Sequence, residues 1–221
     1  MYIVKDRDRI LNIAITALLF LIIFSLALTN SPIMMTFDTL IQDFVLGLSF
    51  NHPFLNHLLS FLGHPVMTGL YLIILWFLLW GFKHKLISFW AICTYISGEI
   101  LFLIIRKIVA RELPSGHPQN ISAGSFPSHH VFSLILIFML IYICAMPFLK
   151  KRWHVWLALV CMWLIIFILA IARIQLHANY PFDTIAGILL AYSWVEIWEI
   201  VYLSFFGNLT RIQVFRHSDF N

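Results

Sequence analysis

The sequence predicts an all-α, polytopic membrane protein, a bundle of six transmembrane helices with a short amphipathic interfacial helix between spans one and two. Three observations lead there. Hydrophobic residues make up 62% of the 221 and charged residues only 11%, against about 25% charged in a soluble domain. The apolar residues gather into runs of membrane length, and the charged ones stand almost wholly between the runs. The basic residues, finally, are divided unequally between alternate loops.

Lys5, Arg7 and Arg9 precede an apolar run from Ile10 to Leu28, long enough to cross the hydrocarbon core. The run is too long for a secretory signal and lacks a clear small-residue cleavage site, so it reads as a retained first span. Between Asn30 and Pro65 there is no Lys or Arg, and Thr36 to Phe50 alternates apolar and polar residues at near-helical spacing, which predicts an amphipathic helix lying in the interface. Val66 to Phe82 makes the second span, closed by Lys83, His84 and Lys85. Leu86 to Ile105 makes the third, carrying Glu99 and ending on Arg106. After a polar loop, Val131 to Phe148 is the fourth, closed by Lys150, Lys151 and Arg152. Trp153 to Ala172 is the fifth, ending on Arg173, and Ile185 to Phe206 is the sixth, followed by a tail with Arg211 and Arg216. With their polar shoulders the spans cover about 10–29, 66–82, 86–105, 128–148, 153–172 and 182–206 of a single membrane domain, 1–221. No internal repeat or low-complexity linker divides it. Cys93, Cys144 and Cys161 all fall inside apolar runs, which argues against a disulfide framework or a thiolate metal site. Trp76, Trp80, Trp90, Trp153 and Trp156 fall near inner membrane edges, as an aromatic belt does.

Lys and Arg accumulate in the short loops that stay in the cytoplasm. A cytoplasmic amino terminus puts Lys5, Arg7, Arg9, Lys83, Lys85, Lys150, Lys151, Arg152, Arg211 and Arg216 inside, with both termini on that side. The formal charge of +4 then follows from topology, and no nucleic-acid partner is expected. Arg106, Lys107, Arg111 and Arg173 are left outside, and all four belong to two polar islands, Arg106 to Pro114 and Arg173 to Asp183. Cations placed against the topology rule call for a local reason, and an anionic ligand is the simplest one.

A third polar stretch, Ser125-Phe126-Pro127-Ser128-His129-His130, opens the fourth span. A hydroxyl and free backbone N–H groups at the positive end of a helix dipole make an anion site of phosphate size. Pro114-Ser115-Gly116-His117 has a similar composition, but Pro118 and a polar loop follow it where a helix would have to begin.

The three stretches resemble the signature motifs of the type-2 phosphatidic acid phosphatase family, membrane lipid phosphatases related in fold to vanadium haloperoxidases. The family's first motif is a Lys, six residues, then Arg-Pro; here it reads Arg106 to Leu113-Pro114. Its second is Pro-Ser-Gly-His, here Pro127-Ser128-His129-His130. Its third is Arg, five residues, His, three residues, Asp, here Arg173 to Asn179 to Asp183. The resemblance implies that His130 protonates the leaving oxygen, that Asp183 orients the attacking group, and that Arg106, Ser128 and Arg173 hold the phosphoryl oxygens. It implies no metal and no cofactor, and the ligand it implies is a lipid phosphate or diphosphate at the outer leaflet of a cell membrane.

Four positions depart from the pattern. Arg106 stands for Lys and keeps its charge; Leu113 stands for an Arg, His129 for the Gly, and Asn179 for the His that is the family's nucleophile. An Asn amide is not a useful nucleophile toward phosphorus, so Asn179 is assigned to binding. His177, two residues earlier, is a candidate for the missing role, although extended geometry would hold it about 6 to 7 Å from position 179. His129 either fills the space a Gly would leave open or contributes chemistry, and water activated by Asp183 or His130 is a further route. Arg111 or Lys107 would replace the charge lost at Leu113. Glu99, seven residues before Arg106 on the same helix face, steadies the basic cluster or bonds a neighbouring helix. Glu196 and Glu199, in the last span, read as snorkelling or helix-pairing groups. Two functional classes follow: a lipid phosphatase with a displaced nucleophile or activated water, and a noncatalytic relative that binds a lipid phosphate as sensor, partner subunit or carrier. A transporter fits less well, for want of broken helix pairs or an inverted repeat.

Overall fold

The computed structural model describes residues 3, 6–48, 53–116, 124–149 and 151–209, with side chains to 205; Lys5, His117, Lys150, Arg211 and Arg216 lie outside the described residues. Among the described residues there are eight α-helices: α1 (Arg9–Leu28), α2 (Pro32–Leu46), α3 (Pro53–Leu62), α4 (Pro65–Gly81), α5 (Lys85–Val109), α6 (His129–Ala145), α7 (Arg152–Gln175) and α8 (Pro181–Leu209). A 3-10 turn, Met146–Phe148, closes α6. No strand occurs among the described residues.

Proline begins α2, α3, α4 and α8, where its missing N–H costs no intrahelical bond. Ala110, with φ 44°, ends α5 in the left-handed region. Five helices, α1, α5, α6 with its closing turn, α7 and α8, are long and apolar enough to cross a membrane. The span expected at 66–82 coincides with α4, which reaches membrane length only together with the helix before it. α4 has only 17 residues and is preceded by α3, bent 46° from it across Gly63 and His64. The predicted ends of spans three and five also fall short. α5 and α7 run on through Arg106, Lys107 and Arg173, because a cation ends an apolar run without ending a helix, and the last turn of a helix favours it.

Helix α6 sits at the centre, packed against α4, α5, α7 and α8, with Val131, Phe132, Leu136, Ile137 and Leu140 fully buried. At Gly98 of α5 a Cβ would lie 3.0 Å from Leu136 and Trp194 side-chain atoms, so a residue without one lets α5, α6 and α8 close together. Arg9 at the start of α1 pairs with Glu196 and Glu199. Those two glutamates therefore pair helices, and both ends of the described chain lie at the same end of the bundle.

The amphipathic stretch is α2, with its faces reversed from those of a helix floating at an interface. Asp38 and Gln42 point into the protein, with Asp38 fully buried, while Ile33, Phe37, Leu40 and Phe44 are exposed on the outer side. The reversal follows from what lies on each side. α2 covers α7 and the start of α8, where polar groups are gathered, and turns its apolar stripe toward the surrounding membrane.

Candidate active site

Six segments meet at the end of the bundle away from Arg9: α2, the start of α4, the end of α5 with residues 110–114, the start of α6, the end of α7, and the start of α8. Ser128 is the N-cap of α6, and its N–H donates to the Asp183 carbonyl at 2.9 Å. Gly187 of α8 backs directly onto this turn, since a Cβ there would stand 3.0 Å from the Ser128 carbonyl oxygen and 3.3 Å from the Phe132 nitrogen. Phe126, joined to Pro127 by a cis peptide, is fully buried beneath it. His129 and His130 are thereby the first two helical residues and face a cavity.

The cavity measures about 410 Å³, and its polar lining is Arg106, Arg173, His64, His129, His130 and Asn179, with Leu113, Pro65, Val66 and Ala178 completing the wall. Asn179 organises one side. Its Oδ1 accepts from Ser128 Oγ at 3.0 Å and from Arg173 Nε at 3.1 Å, and its Nδ2 donates to the Ser125 carbonyl at 2.7 Å. On the opposite side Glu99 Oε2 meets His129 Nε2 at 2.7 Å, and Glu99 Oε1 accepts from Ser133 Oγ at 2.6 Å. The His129 ring lies parallel to Phe102 with centroids 4.1 Å apart, and the Arg106 guanidinium stands 5.8 Å from the centre of the same Phe102 ring. His64, the N-cap of α4, accepts the Val66 N–H on Nδ1, which leaves the proton on Nε2, and its ring meets that of His130 edge-on at 5.3 Å.

Charge pairing separates the arginines of the described residues into two kinds. Arg111 is buried and bridges two carboxylates, Asp183 Oδ1 at 2.7 Å and Asp38 Oδ2 at 2.6 Å, with Tyr180 stacked 4.1 Å from its guanidinium. Burial works against its charge, but Asp183 and Asp38 outweigh that and hold its pKa above the ordinary value. Each acid has a second donor, Tyr180 N–H on Asp183 and Phe182 N–H on Asp38, both at 2.9 Å. Arg106 and Arg173, by contrast, line the cavity half-buried and form no ion pair with a described carboxylate. Partly desolvated guanidiniums without an acid are costly unless an anion meets them. The cavity therefore carries two guanidiniums with no described counter-charge.

Of the residues expected at the site, Arg106, His129, His130, Arg173 and Asn179 line the cavity together. Ser128 lies just behind it, fully buried, holding Asn179. Lys107 and Arg111 do not replace the charge missing at Leu113. Lys107 is exposed on another face of α5, and Arg111 is committed to its two aspartates. Asp183 is fully buried, with Arg111 on one oxygen and Tyr180 N–H on the other, so it is not presented to a substrate. His177 also stands apart: at φ 50° it ends α7 with its ring against Gly116 and its Nδ1 3.3 Å from Gln42 Nε2, outside the cavity lining. Glu99 pairs with His129 and Ser133, where the sequence left a link to Arg106 open. Asp38, Gln42 and His64 did not emerge from the sequence. His64 had one signal, a polar residue directly before the proline that opens an apolar run, the position Ser128 also occupies at the mouth of its span. Asp38 had none, since its partner Arg111 is 73 residues away.

Comparison with known proteins bears on the family and the fold. Residues 103–206 match the PAP2 superfamily model. The fold is similar to the crystal structure of a transmembrane PAP2-type phosphatidylglycerolphosphate phosphatase from Bacillus subtilis, with a TM-score of 0.73 and 18% identity over 91% of this chain and 99% of that one. No curated protein matches the sequence. The family resemblance carried by the three motifs, and the all-helical membrane fold it implies, are both borne out.

Proposed function

We propose that this chain, whose residues 103–206 match the PAP2 superfamily, is a membrane lipid phosphatase acting on the phosphate or diphosphate head group of a lipid at the outer leaflet. One observation carries the reading: two guanidiniums without carboxylate partners among the described residues, Arg106 and Arg173, share a single cavity with three imidazoles, those of His64, His129 and His130. Guanidiniums grip phosphoryl oxygens in a planar, two-pronged fashion. An imidazole nitrogen can give a proton or take one. Arg106 and Arg173 hold the head group, Asn179 fixes the Arg173 fork through Nε, and His130 gives a proton to the departing lipid oxygen. Val66, on the rim and 71% exposed, marks the side on which an acyl or prenyl tail leaves toward the bilayer. Phosphatidate, phosphatidylglycerophosphate and polyprenyl diphosphate present the same head-group chemistry, and the fold's likeness to a phosphatidylglycerolphosphate phosphatase keeps the second among the first to be tried.

The single membrane domain has both termini in the cytoplasm and its cavity outside. The support is the charge distribution. Arg7, Arg9, Lys83, Lys85, Lys151 and Arg152 flank helix ends opposite the cavity, and this excess of cations belongs in the cytoplasm.

Asn179 favours a second reading, a noncatalytic relative that binds lipid phosphate as sensor, partner subunit or carrier, because its amide occupies the nucleophile position and its hydrogen bonds hold Ser128 and Arg173 in place. Phosphate release by the purified protein from short-chain phosphatidate, phosphatidylglycerophosphate and farnesyl diphosphate separates the two. Catalysis predicts release that is lost in Arg173→Gln and His130→Ala. Silence of the wild type on all three, with retained lipid-phosphate binding, selects the second reading.

A further inference from the structure

Position 179 carries an amide, Asp183 is sealed by Arg111, and His177 faces away, so a phosphatase built on this cavity has to find its base elsewhere. We infer that Glu99 and His129 form that unit, His129 Nδ1 taking the proton of an attacking water while Glu99 holds the opposite nitrogen. The inference rests on the phosphatase reading and deepens it.

Three contacts define the pair. Glu99 Oε2 lies 2.7 Å from His129 Nε2, which places a proton on Nε2 and leaves the lone pair on Nδ1. Ser133 Oγ, one helical turn beyond His129, donates to the other Glu99 oxygen at 2.6 Å and fixes the carboxylate plane. Phe102 stacks on the imidazole face at 4.1 Å with an 11° tilt, so the ring cannot rotate about its own bonds without breaking that contact. Nδ1 has no hydrogen-bond partner among the described residues, and His129 lines the cavity beside Arg106. A histidine clamped at one nitrogen by a carboxylate and free at the other is the arrangement that general-base catalysis requires. The acid is otherwise hard to explain. A carboxylate within a membrane span is costly, and a helix-pairing role would not need a partner that opens into a cationic cavity.

The step balances with water alone. As the water oxygen forms its bond to phosphorus, one water proton passes to Nδ1. The bond from phosphorus to the lipid oxygen breaks, its electron pair stays on that oxygen, and His130 supplies the proton that makes the lipid alcohol. Inorganic phosphate remains between Arg106 and Arg173; with a diphosphate the attacked phosphorus is the terminal one, the bond that breaks is the one to the bridging oxygen, and the lipid monophosphate departs in place of the alcohol. His129 then returns its proton to solvent, and His130 regains one.

The test uses the full chain in detergent micelles with the three substrates named above. His129→Ala should lower kcat by about a hundredfold or more, the range of a lost general base, and Glu99→Gln should lower it in the same direction, with KM little changed in both. His129→Gly should regain part of its lost rate when imidazole is added, which a merely structural histidine would not show. Thermal midpoints of the variants, measured alongside, identify any loss due to unfolding, and the imidazole arm reads the chemistry independently of them. Wild-type turnover in a folded His129→Ala or Glu99→Gln protein would overturn the dyad and leave the phosphatase reading standing. A wild type silent on all three substrates would remove both.

Discussion

Arg111 bridges Asp38 and Asp183 with both acids and the base almost wholly buried. Such a cluster adds little net stability over an apolar equivalent, but removing its centre leaves two carboxylates facing each other out of water. Arg111→Ala should therefore destabilise the protein by about 3–5 kcal/mol, read as a lowered thermal midpoint in detergent. Asp38→Asn should cost much less, because Arg111 keeps Asp183. Equal effects of the two substitutions would contradict the bridge. At this scale the sequence was informative where chemistry is local. Arg106, His129, His130, Arg173 and Asn179 were found because each stands at the end of an apolar run within a spaced motif. The partners of those residues were not legible. The links from Arg111 to Asp38 and from Glu99 to His129 span 73 and 30 residues and depend on how helices pack, which no local pattern records.

Helices in this protein end and turn for reasons that apolar runs only partly reveal. Runs located the crossings but stopped short at Arg106 and Arg173, which remain helical in the last turns of α5 and α7. The alternation in α2 foretold an amphipathic helix, yet alternation is silent about which face turns inward. Asp38 and Gln42 turn in because the start of α8, the segment after α5 and the turn after α7 offer them an N–H, a guanidinium and an imidazole in turn. At the site α8 packs directly on the mouth of α6, and that contact depends on Gly187. Gly187→Ala would drive a methyl against the Ser128 carbonyl and Phe132 nitrogen, backbone atoms that cannot swing aside. It should destabilise by about 1–3 kcal/mol and displace Ser128 and His129, lowering phosphate release as well as the thermal midpoint. Gly69, around which a Cβ would meet nothing within 4 Å, is the control: its alanine variant should behave as wild type.

The whole molecule divides its charge between two ends. One end carries Arg9 tied to Glu196 and Glu199; the other carries the cavity with Arg106 and Arg173 free of acidic partners among the described residues. If the cavity end is outside, Ser115→Cys, at an exposed loop position beside the cavity, should react with a membrane-impermeant maleimide in intact cells, and Arg152→Cys at the other end should react only after permeabilisation. The reverse pattern would contradict the topology. Binding of a short-chain phosphatidate to the purified protein tests the central claim most directly, since the account stands or falls on Arg106 and Arg173 meeting one phosphoryl group. Each charge-assisted hydrogen bond is worth about 1.5–3 kcal/mol. Arg106→Gln and Arg173→Gln should each weaken binding by about tenfold to a hundredfold, while Lys107→Gln leaves it unchanged. Equal affinity in all four proteins would contradict it.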